Sequence, residues 1–238
     1  MTTAYALVQR GWKVHLIDGA DGPAMGCSYA NGAQLSYCYT DALASPAVLA
    51  NALSIMFREE GLGLTPNFSW DYAAWLASFL KNCTRSRFEE NTLAALALAQ
   101  QSKAAMDQLL IKHDLKFGRR SAGKMHLYFT ESELDSARSA LRLKSAFGCE
   151  QIEYSGREAA AVDANLAGVA DTIAGAIFTP SEEVADSLLF CRALLTVLKQ
   201  EYGVIASFGS AVRSMEIGRD LALVTLASGE EIGADLAV

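Results

Sequence analysis

Basic residues are in short supply: 20 Lys and Arg stand against 27 Asp and Glu, a net charge of −7. Phosphate-backbone binding needs clustered Lys and Arg, so no nucleic-acid partner is expected. Arg85/Arg87 and Arg119/Arg120 are the densest basic places, and neither makes a stripe. No Cys-x-x-Cys occurs. The 5 cysteines, Cys27, Cys38, Cys83, Cys149 and Cys191, are odd in number and widely spaced. Neither a zinc site nor a disulfide framework is suggested, and a reducing cytosol is the simplest setting. The 3 histidines, His15, His113 and His126, lack the spacing of a metal site or a triad, so no metal is expected. A membrane span needs about 18 consecutive apolar residues. The richest stretch, 93–99, is far shorter. Arg10 and Trp12–Lys13 come too early for a secretory leader.

What is present suits a folded chain. Hydrophobic residues make up 51% and charged residues 20%, enough to bury one substantial core or two modest ones. Residues 2–10 predict a helix closed by Gly11, followed by a strand over 13–17 with Asp18 at its end. Residues 19–46 read as a long loop, and loops of that length in a domain are often functional. Helices are expected over 47–57, 70–82 and 86–113, with Leu93, Leu96, Leu109 and Leu110 as buried positions. Trp70 and Trp75 read as helix core residues. Strands over 116–119 and 124–130, joined by a turn at 121–123, precede a helix over 131–145. Thr130 reads as the N-cap of that helix and Glu133 as its capping-box partner. Further strands are expected over 150–154 and 172–179, then a helix over 186–201 closed by Gly203. Strands over 204–208, 211–217, 220–227 and 235–238 complete the chain. Cys27 and Cys38 read as small space-fillers, and Glu182–Glu183 and Glu230–Glu231 as solvated turns.

An acidic residue at the end of a strand that follows a helix is the ribose-binding position of a dinucleotide fold. Asp18 occupies that place. A Gly-rich turn before the helix, which lets backbone approach a pyrophosphate, is not found. Gly19, Gly22 and Gly26 follow the strand and lack the Gly-x-Gly-x-x-Gly spacing, and Gly61-Leu-Gly63 is weaker still. Residues 22–36 (GPAMGCSYANGAQLS) combine small residues, which allow close backbone approach, with Ser28, Asn31 and Gln34, which offer hydrogen bonds.

The stretch TTAYALVQRGWKVHLID resembles the segment directly after the phosphate loop of the D-amino-acid dehydrogenase family, part of the wider group that contains glycine oxidase and sarcosine oxidase. GPAMGCSYANGAQLS resembles that family's second signature, a small-residue loop that runs along the flavin. Residues 78–91, 122–135 and 174–191 and the stretch YGVIASFGSAV extend the similarity over nearly the whole chain. The resemblance implies an α/β fold: a partial FAD-binding Rossmann-like domain over 1–45 and 181–238, with an inserted α+β substrate domain over 46–180. It implies FAD as cofactor, with Asp18, Ser28, Asn31, Gly32, Ala33, Gln34 and Val212 as cofactor-binding residues. Val212 would act through its backbone on the adenine side.

The implied reaction is oxidative deamination of a D-amino acid, with electrons passed to a respiratory acceptor. Peripheral membrane contact at the cytoplasmic face of the inner membrane is implied with it. Met1 would fall one residue after the last fingerprint glycine, and Val238 before a Gly-containing FAD motif. The chain as written is therefore expected to be a fragment that binds FAD poorly, and no catalytic residue is assigned. Two alternatives stand beside this reading: a non-catalytic remnant, and a glycine- or sarcosine-type amine oxidase.

Overall fold

The computed structural model describes residues 1–50, 69–219 and 221–238. The elements run α1 (Thr2–Val8), β1 (His15–Ile17), β2 (Gln34–Leu35), α2 (Pro46–Ala50), α3 (Trp70–Asn82) and α4 (Arg85–Lys112). They continue with β3 (Lys124–Tyr128), α5 (Glu131–Ser145), β4 (Ile152–Tyr154), α6 (Gly156–Val162), β5 (Gly175–Thr179) and β6 (Glu183–Val184). The last are α7 (Ser187–Tyr202), β7 (Ile205–Ser207), β8 (Val212–Ile217), β9 (Ala222–Leu226) and β10 (Glu231–Ala234). The expected helix 47–57 lies outside the described residues beyond Ala50, as do Gly61–Gly63. Among the described residues no helix is long and apolar enough to cross a membrane.

The chain forms two units. The first comprises 1–35, 109–120 and 184–238. In it β1 and β7 pair in parallel, His15 opposite Ile205 and Ile17 opposite Ser207. The His15 imidazole bonds the Ser207 hydroxyl at 2.9 Å, a structural role. Helix α7 buries Phe190, Leu194 and Leu198 along one stripe, the spacing of an amphipathic helix. It stops where Gly203 takes φ +65°, a left-handed conformation that glycine adopts without steric cost. Strands β8, β9 and β10 form an antiparallel meander with Ala222, Val224 and Leu226 of β9 buried.

The second unit comprises 36–108 and 121–183. Its antiparallel sheet has the order β3-β5-β4. Ala159 of α6 packs with Ile173 and Ala176, and Met125, Leu127 and Tyr154 close around them. Leu134 of α5 is also buried, and Gly175 sits against it where a side chain would clash. Thr130 and Glu133 form the expected capping box on α5.

Several expectations are corrected. Residues 116–119 are not a strand: Gly118 takes φ +68°, which breaks extended backbone, and only Arg120 bridges, to Val184. The last strand is 231–234 and not 235–238, because the tight turn closed by Leu226 N–H to Glu230 C=O sets Glu231 opposite Thr225. Trp70 is 90% exposed and Trp75 is also exposed, since α3 buries none of its residues among the described contacts. Glu182 and Glu183 are buried, not solvated. Cys38 is disulfide-bonded to Cys149, 111 residues away, inside a cluster with Leu96. No local spacing announces a pair so far apart.

Candidate functional site

Asp18 leaves β1 at its C-terminal end and is exposed. Its backbone is pinned on both sides: its N–H donates to Ser207 C=O at 3.0 Å, and its C=O accepts from Ser210 N–H at 2.9 Å. One carboxylate oxygen accepts from Ala20 N–H at 2.9 Å, a local turn. Gly209 N–H donates to Ala20 C=O at 2.8 Å, and Ala227 N–H donates to Ala211 C=O at 2.8 Å. These bonds bring the segment that leads into Val212 to the same strand end as Asp18. Val212 is exposed and opens β8.

The small-residue loop is held by its backbone. Ser28 C=O accepts from the Ser187 hydroxyl at 2.6 Å. The Asn31 side-chain oxygen accepts from Ala33 N–H at 2.9 Å, and Ala33 C=O accepts from Ala185 N–H at 2.8 Å. Ala33 takes φ +54°, a strained conformation for a residue with a Cβ, of the kind that gathers at binding loops. Gly32 has open space where a side chain would stand. Asn31, Gly32, Ala33 and Gln34 are all exposed. A cavity of about 280 Å³ lies here, lined by Tyr29, Asn31, Ala33, Arg120, Asp186 and Ser187 among others. Asp18 and Val212 are not among its lining residues.

Sequence reasoning missed Arg120 at this cavity. Its backbone is locked to Val184 by two bonds of 2.9 Å, which fixes its place among the residues that line the cavity. The Arg119/Arg120 pair was visible in the sequence only as basic density. A second constellation also escaped the sequence. The buried His113 bonds the Tyr5 hydroxyl through Nε2 at 3.1 Å and lies 3.3 Å from Glu201 through Nδ1. It fastens α1 to α7, and burial pushes the Tyr5 hydroxyl above its ordinary value.

The second unit carries its polar groups on one face of β3. The Tyr39 ring stacks on His126 with centroids 4.3 Å apart, and Lys124 Nζ lies 4.1 Å from the centre of the same ring. The buried Lys144 is paired with Asp41 at 2.9 Å. Burial, then the charges of Lys124 and Lys144, hold His126 below its ordinary value. Burial, then Asp41 and Tyr39, push Tyr128 up, so its hydroxyl stays a donor. A cavity of about 930 Å³ in this unit is lined in part by Tyr39, Asp41, Tyr128 and Phe129. Among the described residues no cluster of His, Cys, Asp or Glu is placed to hold a metal ion.

A parallel strand pair that ends in an exposed carboxylate is the strand-end arrangement of a dinucleotide-binding fold. The chain belongs to the FAD dependent oxidoreductase family, DAO, whose model matches residues 1–238. It is 36% identical over 241 residues to D-amino acid dehydrogenase 2 of Ralstonia nicotianae, covering 100% of this chain and 56% of the relative. It is 30% identical to a D-amino acid dehydrogenase of Xylella fastidiosa, over 91% of this chain and 50% of the relative. Its fold matches glycine oxidase from Geobacillus kaustophilus at TM-score 0.66 and 16% identity, over 98% of this chain and 49% of that one. The chain thus spans about half the length of the curated relatives it matches.

The residues present fit the adenosine end and the loop side of an FAD site. Asp18 offers an exposed carboxylate at a strand end, and the Asn31–Gln34 loop is strained at Ala33, exposed and open at Gly32. The pyrophosphate cradle is not among the described residues.

Proposed function

We propose that this chain contributes to oxidative deamination of D-amino acids by an FAD-dependent dehydrogenase. The observation that carries the reading is 36% identity to a D-amino acid dehydrogenase over the whole chain. Asp18 would hold the adenosine ribose, and Val212 would present its backbone to the adenine. Ser28, Asn31, Gly32, Ala33 and Gln34 would run along the flavin, with 1–45 and 181–238 as cofactor domain and 46–180 as substrate domain. When bound, the flavin supplies the hydride acceptor for the α-carbon, and water then hydrolyses the imino acid to keto acid and ammonia. The chain's own residues bind and orient: Asp18 by hydrogen bonds to ribose hydroxyls, the loop by its fixed backbone, and Arg120 by its charge at the loop cavity. In this reading a respiratory electron acceptor takes the electrons at the cytoplasmic face of the inner membrane, with peripheral membrane contact.

The test is flavin content together with amino-acid-dependent reduction of an acceptor dye, comparing D-alanine with glycine and sarcosine. Reduction with D-alanine alone supports the reading. Reduction with glycine or sarcosine alone assigns an amine oxidase of the other type, and bound flavin with no reduction by any of the three overturns it. In flavin-bound protein, Asp18→Ala is expected to weaken FAD binding about tenfold to a hundredfold, since a hydrogen bond to a charged group contributes about 1.5–3 kcal/mol. Titration of the apoprotein with FAD measures this.

A further inference from the structure

Glu182 stands in the turn between β5 and β6 and is only 2% exposed. Its Oε1 accepts from the backbone N–H of Tyr37 at 2.9 Å and of Cys38 at 2.7 Å. Its Oε2 is buried with no hydrogen-bond partner among the described residues. Burying a carboxylate is costly unless its hydrogen bonds are made. An apolar side chain here would leave two backbone N–H groups without a partner, so the site needs an acceptor and not mere bulk. The Glu182 backbone is itself fixed: its N–H donates to Thr179 C=O at 3.3 Å, and its C=O accepts from Gly123 N–H at 3.0 Å. The carboxylate is thereby anchored to the ends of β5 and β3.

The clamped residues lead directly into Tyr39. That side chain is 54% exposed, yet one element holds it from two positions, with His126 stacked on the ring and Lys124 over it. Lys124 Nζ also reaches the Ser36 hydroxyl at 3.4 Å, just before the clamp. His126 Nε2 is buried and makes no hydrogen bond among the described residues.

We propose that Glu182 is a positioning residue that clamps Tyr37–Cys38 and thereby sets Tyr39 over His126 and Lys124 on the β3 face. The functional weight of that face rests on the amine-oxidation reading, in which it belongs to the substrate domain; the clamp itself does not. Charges facing His126 come from Lys124 on its own strand, Lys144 on α5, Asp41 on the segment after Tyr39, and Glu182 on the β5–β6 turn.

The test is NMR of the histidine ring protons in the 238-residue chain. Tyr39→Leu supplies the signature of an uncovered His126. Glu182→Ala is expected to move the His126 resonances to the Tyr39→Leu positions. Glu182→Gln is expected to keep the stacked signature, because its amide oxygen still accepts both N–H groups, while lowering the His126 titration midpoint through loss of the negative charge. A Glu182→Ala spectrum with His126 at wild-type positions overturns the proposal. If Glu182→Ala does not fold, Glu182→Gln decides: loss of the stacked signature, or an unchanged midpoint, overturns it. Flavin retention and substrate-dependent dye reduction by the wild-type protein test the amine-oxidation reading separately and leave these resonances unaffected.

Discussion

The imidazole of His126 feels four charges and a ring. Histidine ordinarily titrates at 6.5; in the folded chain burial lowers that value first, then Lys124 and Lys144, against the opposing pull of Glu182 and Asp41. Below 6.5 the unfolded chain therefore takes up a proton that the folded chain refuses. Stability from this group is complete above 6.5 and is lost as the pH falls below 6.5 toward the folded-state value. Urea unfolding at a series of pH values should show wild type weakening on the acid side, and His126→Asn should weaken less over the same interval. Equal slopes for the two proteins would mean that His126 is not the proton-linked group.

At the scale of elements, the two capping boxes make a matched pair. Thr130 and Glu133 bond each other's backbone N–H at the start of α5, and Ser155 and Glu158 do the same for α6. Thr130→Ala and Ser155→Ala should each cost about 1 kcal/mol, read as a lower urea midpoint at unchanged slope. Both boxes are written locally as Ser/Thr-x-x-Glu, yet only the first was read from the sequence. The second opens a helix of 7 residues, too short to show an apolar stripe. Helices α3, α4, α5 and α7 were legible within a residue or two because caps and periodicity are local signals. Lys116–Arg119 is equally strand-like in sequence, but pairing is decided by what lies opposite, and the one β-bridge here among the described residues is made by Arg120, to Val184. The site divides in the same way. The position of Asp18 at the end of β1 was legible because helix, strand and acid follow one another in order. His113 with Tyr5, 108 residues away, and Glu182 with Tyr37 and Cys38 are brought together only by the fold.

At the scale of the whole molecule, one covalent link spans much of the chain. Cys38 and Cys149 are both buried, and they join residues 111 apart within the second unit. A link of that length restricts the unfolded chain far more than the folded one. Chain-entropy reasoning puts the stabilisation at about 4–5 kcal/mol for a loop of this size, with engineered links often giving less. That is a large share of the roughly 5–15 kcal/mol that holds an ordinary domain together. The other three cysteines differ in access: Cys27 is exposed, Cys191 is intermediate and Cys83 is buried. Burial also pushes the Cys191 thiol up, which lowers its thiolate fraction and slows it as a nucleophile. Alkylation of the native, unreduced chain should therefore label Cys27 first and leave Cys38 and Cys149 unlabelled even after unfolding. Reduction before unfolding should lower the urea midpoint, and Cys38→Ser with Cys149→Ser should reproduce the lower value with no further response to reductant. Labelling of all five cysteines in the unreduced, unfolded chain would show that the link is absent in solution. The second unit would then be held by noncovalent contacts, among them its sheet, its helices, the Lys144–Asp41 pair and the Glu182 clamp.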